Sequence, residues 1–171
     1  YPLYEDSVDV TSCHLTIRDK ELEHGQNYFT VVMANNTKKI TADEYVFAGY
    51  GISNERYDDY KDINVKGKVA VFFLGEPKAN GNYIVSNSPR YSKYTYPGLS
   101  HKLQTATEKG AAAIIVINPA MANIPSSVLE PNRKSKLYFP TPGNETANYV
   151  VISHEMFKTL FKEWLSDSLI K

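Results

Sequence analysis

The chain has 171 residues, 42% of them hydrophobic, and its 19 Lys and Arg balance 19 Asp and Glu. That length and apolar content indicate a globular chain of one-domain size and exclude a disordered tail. Zero net charge, with no basic block of five, argues against nucleic acid or an anionic membrane as the main partner. No apolar run reaches the roughly 18 residues of a membrane-spanning helix.

Cys13 is the single cysteine, so neither an internal disulfide nor a thiolate metal cluster is expected. The chain begins at Tyr1 without Met. It is read as a segment of a longer protein, with any targeting segment out of view.

In chain order, residues 8–17 alternate weakly, with Leu15 and Ile17 on one face, which predicts a strand. Residues 23–27 (Glu-His-Gly-Gln-Asn) predict a turn. Residues 28–33 form a second β-like run, and 34–39 a polar connection. Residues 44–49 read as a strand, and Gly49-Tyr50-Gly51 permits a tight bend. The acidic Tyr57-Asp-Asp-Tyr-Lys-Asp62 lacks the central Gly and terminal Glu of a calcium loop. It is therefore taken as a solvated turn.

Two apolar runs then stand out, 68–75 and 111–119. Each is short, bounded by Gly or Pro, and rich in β-branched or aromatic residues, as a strand buried on both faces should be. Between them lies one helix, 100–109. Ser100 is expected to cap it, Gly110 to end it in the left-handed conformation, and Leu103 and Ala106 to share its buried face. A strand, a helix and a strand predict parallel pairing with a right-handed crossover. The expected common core is Val69, Val71, Phe73, Ala106, Ile114 and Val116.

Residues 76–98 read as a long polar insertion without structure of its own. Its Tyr83, Tyr91, Tyr94 and Tyr96 are the candidate binding residues, because tyrosines on a loop offer rigid, amphipathic contact area. The plainer reading is that they pack locally and hold the loop down. A second loop-rich stretch, 118–148, carries five prolines and one short edge strand at 137–139. Residues 149–152 form a last strand. Ser153 then caps a helix over 154–166 with a core-facing stripe of Met156, Phe157, Leu160, Phe161, Trp164 and Leu165.

No catalytic motif emerges. His14, His24, His101 and His154 are scattered, and His154-Glu155 are helix neighbours that point apart. There is no His-Glu-x-x-His helix, nucleophile elbow or phosphate-cradling loop. Cys13 and His14, adjacent on a strand, face opposite ways. No catalytic residue and no metal ligand is assigned.

Several motifs nevertheless carry a resemblance. They are Glu44-Tyr-Val-Phe-Ala-Gly-Tyr-Gly-Ile52, Tyr57-Asp-Asp-Tyr60, Asp62-Ile-Asn-Val-Lys-Gly-Lys-Val-Ala-Val71, and Lys102-x-x-x-Ala106 leading into Lys109-Gly-Ala-Ala-Ala-Ile-Ile115. In that order and spacing they resemble the protease-associated (PA) domain inserted in exported di-zinc aminopeptidases of the bacterial leucyl-aminopeptidase type. Residues 149–155 resemble that family's closing strand and helix start. The resemblance implies a β-rich α/β fold, an open barrel or sandwich with flanking helices. Residues 1–43 would be lead-in strands from the preceding peptidase segment and 44–171 the PA domain, the two forming one compact unit.

The resemblance also implies that the two zinc ions and the catalytic residues lie outside this chain, which carries no cofactor of its own. It implies an extracytoplasmic location. The partners would be the neighbouring peptidase domain and a peptide or protein substrate. The tyrosine-rich and proline-rich stretches have no counterpart in the family's motifs. Two other readings stand beside this one: a stand-alone peptide- or sugar-binding module, and an enzyme whose site is assembled only in space.

Overall fold

The structure is a computed structural model, and it describes residues 4–6, 13–30, 37–95, 98–133, 136–138 and 146–163. The first elements are β1 (Tyr4–Asp6), β2 (Leu15–Ile17), β3 (Lys20–Leu22), β4 (Tyr28–Phe29), β5 (Tyr45–Phe47), β6 (Ser53–Asn54) and β7 (Tyr57–Asp58). Then come β8 (Val69–Phe73), β9 (Lys78–Ala79), β10 (Asn82–Tyr83), α1 (Ser100–Glu108) and β11 (Ala113–Asn118). The chain closes with α2 (Ser126–Arg133), β12 (Lys136–Tyr138), β13 (Tyr149–Ser153) and α3 (His154–Leu160). This is a β-rich α/β fold. Among the described residues a five-stranded sheet ordered β4-β13-β11-β8-β5 is accompanied by four two-stranded sheets.

Contacts group the chain into two units. One comprises Asn36–Val116 with Glu145–Tyr149. Its two apolar runs form strands as the sequence predicts. Residues 69–72 of β8 and 114–116 of β11 are buried without a break, so both faces of each strand are covered. β5 pairs with β8 in parallel, Tyr45 opposite Val69. The starts of β8 and β11 meet where the Ala112 amide donates to the Lys68 carbonyl at 2.9 Å, as a parallel crossover requires. Phe73 is only half-buried, edge-on to Phe47 at 5.6 Å, so the expected core loses that one member.

Helix α1 joins these strands and buries Leu103 and Ala106. Ser100 does not cap it. The N-cap is Leu99, already in the right-handed helical region, and its carbonyl accepts from the Lys102 and Leu103 amides. The other end closes as expected. Gly110 has φ +83°, its amide donates to the Thr107 carbonyl, and the Ala111 amide reaches back to the Ala106 carbonyl. That pair of bonds is a Schellman motif, which needs a residue without Cβ at Gly110.

The other unit comprises Tyr1–Asn35, Ile117–Asn144 and Val150–Lys171. β4 pairs antiparallel with β13, Phe29 opposite Val151. Ser153 caps α3, its hydroxyl accepting from the Met156 amide at 3.1 Å. Phe157, Leu160 and Phe161 form the buried stripe. The helix proper ends at Leu160; Trp164 and Leu165 of the predicted stripe, and the end of the predicted 154–166 helix, lie outside the described residues. Arg18 and Asp19 make a two-residue hairpin turn between β2 and β3, with φ of 49° and 63°. Arg18 is held there by the Leu160 carbonyl, the Glu163 carboxylate and the Phe161 ring.

Helix α2 replaces part of what reads as loop. Pro131 inside it and Pro125 before it hide the helical pattern. The expected edge strand appears as β12, antiparallel to β1, with Phe139 outside the described residues. Tyr28 and Phe29 are strand as predicted, whereas residues 31–33 of that run lie outside the description.

Candidate functional site

The tyrosine-bearing stretch after β8 is structured. β9 and β10 form a hairpin turning on Asn80 and Gly81, both at positive φ (51° and 81°). This is the twist-matched turn that Asn-Gly favours. Gly81 has nothing within 4 Å of the position a Cβ would take, so backbone conformation alone requires it.

The four tyrosines separate. Tyr91 is 51% exposed, the only large hydrophobic among the described residues to be so. Tyr83 is half-buried, edge-on to Tyr91 with ring centres 6.2 Å apart, and the Lys78 ammonium lies 4.2 Å above its ring. Tyr94 is not presented. It is 4% exposed, and its hydroxyl donates to the Ser53 carbonyl at 2.7 Å. Burial, with Asp58 and Glu76 nearby, raises its pKa. It fastens the loop from below. Tyr96 lies outside the described residues.

Beneath the loop sits a set of buried charges that spacing alone did not reveal. Lys102 is fully buried on α1. Its ammonium donates to the Phe73 carbonyl at 3.2 Å and to the Gly75 carbonyl, and stands 5.8 Å from the Tyr50 ring centre. Burial pushes its pKa down to about 8, against the opposing pull of the Glu76 and Asp59 charges. Glu76 is 7% exposed; its Oε1 accepts from the Ser92 amide at 2.8 Å and ties the far side of the loop to its base. Its Oε2 has no hydrogen-bond partner among the described residues.

Asp59 corrects the solvated-turn expectation. Its carboxylate accepts from the Tyr50 and Ile52 amides at 3.0 and 3.1 Å and from the Tyr57 hydroxyl at 2.8 Å. Burial raises its pKa, opposed by those hydrogen bonds and by the Lys102 charge. The Gly49-Tyr50-Gly51 bend is shaped to admit it. A Cβ on Gly49 would fall 2.0 Å from Asp59 Oδ1, and one on Gly51 2.7 Å from the Phe72 ring. Tyr60, the next residue, is 4% exposed.

Chemically, the site offers an ordered aromatic and cationic loop surface above a buried ion cluster. Among the described residues no three His, Cys, Asp or Glu side chains come together as a metal set. His14 is exposed, 3.8 Å from Glu21, and Cys13 is half-buried, outside any disulfide, with its carbonyl accepting from the Tyr28 hydroxyl. The buried charges have a weak sequence signal, the lone Lys102 on the apolar face of α1. The Asn80-Gly81 turn has a strong one.

By fold, this chain is similar to part of an aminopeptidase. The solved aminopeptidase from Aneurinibacillus sp. strain AM-1 superposes with a TM-score of 0.57 at 16% identity. The match covers 97% of this chain and 30% of the aminopeptidase, so this chain spans under a third of that protein's length. No family model matches the chain, and no curated protein matches it by sequence. No helix among the described residues is long and apolar enough to cross a membrane.

Proposed function

We propose that this chain is a non-catalytic, protease-associated module of an exported zinc aminopeptidase, with residues 1–43 leading in and 44–171 forming the module. It governs substrate access or holds a peptide or protein for a neighbouring peptidase domain. The observation that carries this reading is the fold match, which takes in 97% of this chain but only 30% of an aminopeptidase. The order and spacing of the motifs in residues 44–119 support it further. On this reading the two zinc ions, and the His, Asp and Glu that hold them, belong to the peptidase domain.

On this reading the exposed Tyr91 and its edge-on neighbour Tyr83 meet substrate. Tyr94 holds their loop in position.

Two measurements test the proposal. The purified chain should not hydrolyse aminoacyl-nitroanilides, with or without added zinc; chelator-sensitive turnover would overturn the non-catalytic reading. In the parent enzyme, replacing Tyr83 and Tyr91 with Ala should change KM or peptide preference without unfolding the module. Unchanged kinetics for every peptide tried would remove the loop from substrate access.

A further inference from the structure

The chain as a whole is neutral, but one loop is not. Residues 76–98 contain Lys78, Arg90 and Lys93 and a single carboxylate, Glu76. The three cations are exposed, while Glu76 is buried and turned in on the Ser92 amide. The loop therefore exposes three positive charges, and no carboxylate of its own is exposed among the described residues. None of the three makes an ion pair there; Lys78 and Lys93 rest over the rings of Tyr83 and Tyr94 at 4.2 and 5.5 Å. The loop also carries the exposed Tyr91, edge-on to Tyr83, whose ring lies under Lys78.

This loop is ordered in advance. The Asn80-Gly81 turn fixes the hairpin. The Arg90 carbonyl accepts from the Ser86 and Ser88 hydroxyls. Tyr94 and Glu76 fasten the loop from below. Binding then orders little more than the side chains, which lowers its entropic cost.

We infer that the outer face of this loop, formed by Lys78, Tyr83, Arg90, Tyr91 and Lys93, is a docking surface for an acidic peptide segment. The carboxylates of such a segment would meet the three cations, and an apolar side chain would lie on the tyrosine pair. Three dispersed cations on a neutral chain are too few for the phosphate-tracking stripe that nucleic acid requires. The inference rests on the peptide-binding reading above and narrows it by charge.

The test uses the 171-residue chain and a short fluorescein-labelled peptide of alternating Glu and Leu, with counterparts carrying Gln or Lys in place of Glu. Fluorescence anisotropy should show the Glu peptide binding most tightly and weakening with salt. The combined Lys78→Glu, Arg90→Glu, Lys93→Glu variant should lose about tenfold or more in affinity for the Glu peptide, a change of about 1.4 kcal/mol. It should also gain affinity for the Lys peptide. The single Arg90→Glu variant should move both affinities the same way, and it carries the test if the triple variant does not fold. Equal binding of the Glu and Gln peptides, with no effect of charge reversal, would overturn the acidic preference and leave peptide binding standing. Failure of all three peptides to bind would sink both. Displacement of the Glu peptide by an anionic polysaccharide at lower concentration than by unlabelled peptide would overturn it in favour of a glycan.

Discussion

Lys102 sits fully buried with its ammonium on two backbone carbonyls, and that placement gives a pH-dependent stability of definite sign. Its pKa falls from 10.5 to about 8 on folding, chiefly through burial. Between those values the unfolded chain holds a proton that the folded chain has released. Stability therefore rises with pH across this window, and the contribution is lost as pH falls through about 8. At 1.36 kcal/mol per pKa unit the full swing is about 3 kcal/mol. Lys102→Met keeps the length and apolar stem but cannot titrate. It also leaves the Phe73 and Gly75 carbonyls without their donor, a cost of about 1–3 kcal/mol each that does not depend on pH. Urea unfolding of both proteins, at constant m-value, should show the gap in favour of the wild type widening by about 3 kcal/mol from well below pH 8 to about 10.5. A gap that stays constant would refute the argument, because the ammonium would then be as well solvated folded as unfolded. Above about pH 10 both proteins should weaken together. Burial raises Tyr28 and Tyr149 to about 12, so their protons leave the unfolded chain first.

Asp59→Ala should destabilise the chain by about 3–5 kcal/mol in the same assay, since it strands the Tyr50 and Ile52 amides and removes a negative charge that offsets buried Lys102; a change below about 1 kcal/mol would mean the bend holds itself. Tyr94→Phe should cost about 0.5–1.5 kcal/mol for the lost bond to Ser53, whereas Tyr91→Ala should stay within about 0.5 kcal/mol. Thermal unfolding distinguishes these two, and the reverse order would exchange the fastening and presenting roles assigned to them.

Much of the fold was legible because hydrophobic pattern decides it. The runs at 69–73 and 113–118 have few alternatives to buried strands, and Gly110 and Ser153 mark helix ends by local chemistry. What the sequence concealed depended on contacts distant along the chain. Asp59 looks like one of several exposed acids until Tyr50 and Ile52 fold back on it. Tyr94 is indistinguishable from Tyr91 until Ser53 is brought beneath it. Ser100 has cap chemistry, but Leu99 already takes helical angles and moves the start by one residue. The hairpin at 78–83 is a different case: its Asn-Gly signal was present in the sequence and outweighed by the polar loop around it.

The pairing of β4 with β13 bears on how the sheet assembles. Phe29 and Val151 stand opposite each other although 122 positions separate them in the chain, whereas Tyr45 and Val69 are 24 positions apart. Closing the longer loop costs about 1.4 kcal/mol more chain entropy than closing the shorter one. Among the described residues this ladder is two pairs long, Phe29 with Val151 and Tyr28 with Ile152. The β5–β8 pair can form from a short, continuous stretch of chain, while the β4 edge must wait for residues near both ends to meet. It is the edge of the sheet most sensitive to whatever lengthens or loosens the intervening chain.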